Sequence, residues 1–124
     1  MEFKIDTKDT FSTITPVTEE ISAKMTDELG QQLEKMRQSG SCNFIIDLQH
    51  CTSIDETAID QLLTLHEESY SQEQSLVFTG INERVMTVLK KSETDLLINI
   101  APKMIEAIDI ISMEILERDL FSEE

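Results

Sequence analysis

The chain of 124 residues carries 25 acidic against 10 basic side chains, a formal charge of -15. Such a field repels phosphate backbones and anionic lipid headgroups, which argues against nucleic acid and membrane surface as partners; it favours a basic protein surface or serves solubility alone. The length suits one domain, 1–124, burying roughly two thirds of its unfolded surface, and 40% hydrophobic residues with only three Gly and two Pro leave little room for a disordered tract.

Phe3 and Ile5 alternate with polar neighbours, Thr7 to Thr10 reads as a turn, and Phe11 to Thr15 is rich in β-branched and aromatic residues, which together predict an opening hairpin. From Ser22 to Ser39 the positions Met25, Leu29, Leu33 and Met36 recur at helical spacing. Gly30 inside this helix costs about 1 kcal/mol relative to Ala. Phe44, Ile45, Ile46 and Leu48, interrupted only by Asp47, have the pattern of a central strand buried on both faces. Leu76-Val77-Phe78, stopped by Gly80, is a second such run, and Leu96-Leu97-Ile98 with Ile100 a third. Between them lie helical patterns at Ile59-Leu62-Leu63-His66-Tyr70 and Val85-Val88-Leu89, so a parallel sheet with right-handed crossovers is expected. Pro102 suits the first turn of a last helix, with Met104, Ile105, Ile108, Ile111 and Ile115 as its stripe. Ile110, Met113, Leu116 and Leu120 widen that stripe, so the helix packs on two sides or meets a partner chain, and packing on two sides is favoured.

The most sharply specified start is that of the second helix. With Asp55 as N-cap, Ile54 can staple onto Ile59, and Glu56 and Thr57 occupy the first two helical positions, where the dipole favours negative charge by about 0.3–1 kcal/mol. A cap at Ser53 with Glu56 closing a capping box is also allowed. Ile59, Leu62, Leu63 and His66 then face the core, His66 as a satisfied core residue, while Thr57, Asp60, Gln61, Thr64, Glu67 and Glu68 lie opposite. That outer set is either a solvated face or a docking surface.

Asn43-Phe44-Ile45-Ile46-Asp47-Leu48 and Ser53-Ile54-Asp55-Glu56-Thr57-Ala58-Ile59-Asp60-Gln61-Leu62-Leu63 resemble, in order and spacing, the core of STAS domains, the anti-sigma factor antagonist family. In that family an apolar strand ending in Asp-Leu precedes a motif of the form Ile-Asp-Ser-Ser-Gly-Leu-Gly and a leucine-rich helix. Leu76 to Ile81 with Val85 and Leu89 looks like the family's next strand and helix, and Glu106-Ala107 like the opening of its last helix. The N-terminal third matches least, with Glu20-Ile21-Ser22 standing where many members have Glu-Leu-Asp.

The resemblance implies an α/β fold of STAS type: a mixed four- to five-stranded sheet with an N-terminal hairpin and helices mainly on one face. It implies a cytoplasmic, non-enzymatic regulator of transcription without cofactor, monomeric or weakly dimeric. Such a protein binds an anti-sigma factor or related serine kinase and is released when one hydroxyl is phosphorylated. The implied contacts are Asp55, Glu56, Thr57, Asp60, Gln61 and Thr64. Here the sequence departs from the family, because the position of the phosphoacceptor holds Glu56, which a Ser/Thr kinase cannot modify, and Ala58 and Asp60 replace two glycines. Glu56 then acts as a fixed charge in place of phosphate, or Thr57 is the acceptor, or the switch is lost and the acidic rim meets another partner. Fixed charge or lost switching ranks above Thr57 phosphorylation. A STAS-fold scaffold unconnected to sigma factors is the alternative.

Enzyme chemistry finds less support. Asp47, His50, Cys51 and Asp55 follow the central strand, where open α/β sheets bind ligands, but adjacent residues point apart and no third group orients a Cys-His pair. Cys42 and Cys51, the only cysteines, lack zinc-site spacing and no secretory leader is evident, so reduced, structural thiols are expected. A receiver domain with Asp47 as phospho-acceptor would need an acidic pair after the first strand, where Asp6 stands alone, and a Lys before Pro, whereas Pro102 precedes Lys103.

Overall fold

The computed structural model describes residues 1–122. The hairpin forms as the alternation predicts: β1 (Phe3–Thr7) pairs antiparallel with β2 (Ser12–Pro16), Ile5 opposite Ile14. β1 is an edge strand, so Ile5 stays exposed and Phe3 alone leans on the core. A two-residue strand, β3 (Glu20–Ile21), leads into α1 (Ala23–Gln38), whose N-cap Ser22 accepts the Met25 N–H at 3.1 Å. Then follow β4 (Phe44–Asp47), β5 (Ser53–Ile54) and α2 (Glu56–Ser71). The chain continues through β6 (Leu76–Thr79), α3 (Glu83–Lys91), β7 (Ile100–Ala101) and α4 (Met104–Ser122). The main sheet has the order β1-β2-β4-β6-β7, parallel except for β1, and β3 pairs parallel with β5 as a separate small sheet.

The apolar runs are continuous because β4 and β6 are covered on both faces. Phe44, Ile46, Leu76 and Phe78 point into a core shared with α1, α2 and α3; Ile45 and Val77 point the other way, against Ala107 and Ile111 of α4. Three helices thus lie on one face and one on the other. Each such fully buried side chain contributes about 1.5–3 kcal/mol.

Four expectations are corrected. Leu96 and Leu97 are not strand residues: Glu93 turns left-handed (φ 58°), Thr94–Leu96 forms a 3-10 turn closed by the Leu97 N–H on Thr94 O, and both leucines are exposed. Only Ile100 and Ala101 pair with β6. Pro102 precedes the last helix instead of entering its first turn, since the first bond, Ala107 N–H to Lys103 O, places the cap at Lys103. α4 packs on one side only, and Ile105, assigned to its buried stripe, is exposed with Met113, Leu116 and Leu120. On α2 the buried positions are Ala58, Leu62, Leu65 and Ser69, so Ile59, Leu63 and His66 border the core instead of filling it. Among the described residues, no helix is long and apolar enough to cross a membrane.

Candidate functional site

Asp55 caps α2 from an extended backbone (φ -83°, ψ 139°): Oδ1 accepts the Thr57 N–H at 3.3 Å and its carbonyl accepts the Ala58 N–H at 2.9 Å. Ser53, the other candidate cap, lies in β5 instead. The turn is held from behind by main-chain bonds. Asp55 N–H donates to Ile21 O at 2.9 Å, and the Thr52 and Ser53 N–H groups both reach Glu19 O, at 2.7 and 3.1 Å. Two residues per strand would not hold on their own; fully buried Ile21 and half-buried Ile54 anchor this pair in the core.

Glu56, Thr57, Asp60 and Thr64 are all exposed along one side of α2, with the Thr64 hydroxyl donating to Asp60 O at 3.0 Å. Three carboxylates, Asp55, Glu56 and Asp60, therefore sit within the first turn and a half, where the dipole tolerates them. Gln61 departs from the expected outer set: it is half-buried and its side-chain carbonyl accepts the Thr26 hydroxyl of α1. It belongs to the seam between the two helices, beside an open groove of about 420 Å3 lined by Gly30, Glu34, Gln61, Thr64 and Glu68. Gly30 has its reason here, since a Cβ on it would stand 3.3 Å from Leu65 Cδ2. The residue that weakens α1 as a helix lets α2 approach it.

Behind this face lie polar clusters that periodicity did not reveal. Arg37 donates to Ser69 Oγ at 2.5 Å and Gln74 Oε1 at 2.7 Å and lies 5.5 Å from the Phe44 ring centroid. The Tyr70 hydroxyl donates to Glu114 Oε1 at 2.7 Å and accepts from Asn99 Nδ2 at 2.5 Å, joining α2 to α4; burial first, then the Glu114 bond, push this phenol upward. The His66 and Tyr70 rings meet at a tilt with centroids 4.5 Å apart, but among the described residues the buried His66 Nε2 has no hydrogen-bond partner, so it is not the satisfied core histidine expected. Burial lowers its pKa, opposed by Glu114 and Glu67.

The end of β4 holds no nucleophilic pair. Cys51 is buried while His50 is exposed; burial, with Asp47 adding to it, pushes the thiol up to about 11. The Asp47 carboxylate accepts the Gln49 N–H and Gln49 Nε2 at 3.1 and 2.8 Å, and presses on Gly80, whose φ of 71° and missing Cβ make room for it. A receiver is ruled out by topology as well. Its sheet runs 2-1-3-4-5, whereas here the first strand is antiparallel and at the edge. Among the described residues no three His, Cys, Asp or Glu side chains are grouped to hold a metal ion.

Residues 2–107 match the STAS domain family, and the chain belongs to it. The fold is shared with TM1081 of Thermotoga maritima at a TM-score of 0.76, 17% identity and 90% coverage of each chain. A serine-to-glutamate variant of RsbS from Moorella thermoacetica gives 0.74 at 17% identity, over 95% of this chain and 99% of that one. The Bacillus anti-sigma factor antagonist SpoIIAA in its unphosphorylated form gives 0.69 at 13%, over 90% and 96%. No curated protein sequence gives a significant match.

Proposed function

We propose that this STAS domain is a non-enzymatic, protein-binding regulator whose docking surface is the start of α2. Asp55 positions the turn, Glu56 and Thr57 present it, and Asp60, Gln61 and Thr64 form the rim. The partner is an anti-sigma factor or related serine kinase, by analogy with SpoIIAA, an anti-sigma factor antagonist, and the setting is transcription control in the cytoplasm. The observation that carries the reading is Glu56: it stands exposed at the first helical position of a turn fixed by backbone bonds, where its negative charge is presented without need of modification. Glu56 acts as a fixed charge in place of a modifiable hydroxyl. Thr57, exposed in the same turn, is the lower-ranked candidate for phosphorylation.

The test is an affinity capture from the native cell with wild type, Glu56→Ser and Thr57→Ala side by side, followed by intact-mass measurement of each bait. The expected result is a partner set that changes with Glu56→Ser and an added phosphate on that variant alone. Identical partner sets for all three proteins would remove the turn from the mechanism. A phosphate on wild type that Thr57→Ala abolishes would move the switch to Thr57.

A further inference from the structure

The side of α4 turned away from the sheet is apolar. At 3.6 residues per turn, Ile105, Met113, Leu116 and Leu120 fall within an arc of about 80°, and they are 69%, 61%, 60% and 59% exposed. These four side chains form one exposed apolar stripe, of the kind that marks an interaction site, while Phe121 lies outside the arc beside Tyr70 and Glu114. Three of the four lie beyond residue 107, where the family match ends. The patch lies on the sheet face opposite the α2 turn.

The charges decide what can cover it. Asp109 lies within the stripe and Glu106 and Glu117 border it, while Arg118, the one basic residue of α4, is turned inward to Ser75 Oγ and Asn43 Oδ1 at 3.0 Å each. Two copies paired antiparallel through this stripe would set Asp109 against Glu117, and a parallel pair would set each acid against itself, with -15 on each copy. An anionic bilayer is repelled for the same reason. We propose that the outer face of α4 docks a helix of another protein whose apolar stripe packs on Met113, Leu116 and Leu120 and whose flanking Lys or Arg meet Glu106, Asp109 and Glu117. The α2 turn stays open when this face is filled, so the domain joins two partners.

The test uses a synthetic amphipathic helical peptide with a leucine stripe and lysine flanks, a scrambled version and a leucine–glutamate version, each titrated against the full chain. The expected result is binding of the lysine-flanked peptide with shifts in α4 amide resonances, weakened about tenfold or more by Leu116→Asp with Leu120→Asp. That variant is more acidic, so purely electrostatic attraction predicts equal or tighter binding, which would overturn the proposal. Asp109→Lys with Glu117→Lys keeps the stripe and is expected to weaken the peptide similarly; unchanged affinity would overturn the charge argument. Equal binding of the scrambled or glutamate peptide, tighter binding to zwitterionic vesicles, or sedimentation of wild type as an α4-mediated dimer would also overturn it.

Discussion

Replacing Asp55 separates two contributions at the proposed docking turn. The cap bond, Oδ1 to Thr57 N–H, is 3.3 Å long and exposed, so it belongs at the weak end of the range for N-caps, about 0.5–1 kcal/mol. The negative charge over the helix N-terminus adds about 0.3–1 kcal/mol at low ionic strength. Asp55→Ala loses both, about 1–2 kcal/mol, which lowers the melting temperature of a domain this size by about 4–8 °C. Asp55→Asn keeps an acceptor at the cap and loses only the charge, about 0.5 kcal/mol. Calorimetry at low salt is expected to rank wild type above Asn above Ala. High salt should bring Asn up to wild type while leaving Ala behind, because the charge is screened and the cap is not. Equal melting of Ala and Asn, or a gap that salt does not narrow, would refute this account of the turn.

Gly80→Ala should cost about 2–3 kcal/mol in urea unfolding, from a left-handed backbone at φ 71° and a Cβ driven into the Asp47 carboxylate; a loss below about 1 kcal/mol would show that β4 yields there at little cost. Of the two thiols, Cys42 should react with a disulfide reagent in the native protein, while Cys51, buried and with its pKa near 11, should react only on unfolding. His66 is lowered by burial, so its contribution is complete above the ordinary histidine value of 6.5 and is lost as pH falls through the lower folded value. Relative to His66→Phe, wild type should therefore lose stability as pH falls below the ordinary histidine value of 6.5, and a constant difference between the two would contradict the burial of the ring.

The parallel core was legible because its strands are buried on both faces: Phe44-Ile45-Ile46 and Leu76-Val77-Phe78 carry no polar alternation. Asp55 was legible because capping is a local matter of one side chain and its own next turn. Leu96-Leu97-Ile98 misled because so short an apolar run has no decisive period, and it gives no sign of the left-handed turn at Glu93, beside which the Ser92 and Thr94 hydroxyls lie 2.7 Å apart. The α2 face was misplaced because Ala58 and Ser69 are small. Ala58 is buried through lack of size, and Ser69 serves as acceptor for Arg37 thirty-two residues earlier. Gly30 read as a cost until Leu65 stood against it.

The way the turn is held bears on what a charge there can do. Asp55, Ser53 and Thr52 are fixed through backbone N–H groups to Ile21 and Glu19, and Ile21 is fully buried. A change of charge at position 56 therefore meets a scaffold that does not depend on it. Within the free domain such a change shifts stability only by the dipole term, about 0.3–1 kcal/mol. Against a partner the scale differs, because a like charge or an unpaired carboxylate enclosed in an interface costs about 2–5 kcal/mol. On the proposed reading Glu56 bears on partner choice far more than on the fold, and Glu56→Ser is expected to leave the melting temperature within about 4 °C of wild type while changing what binds.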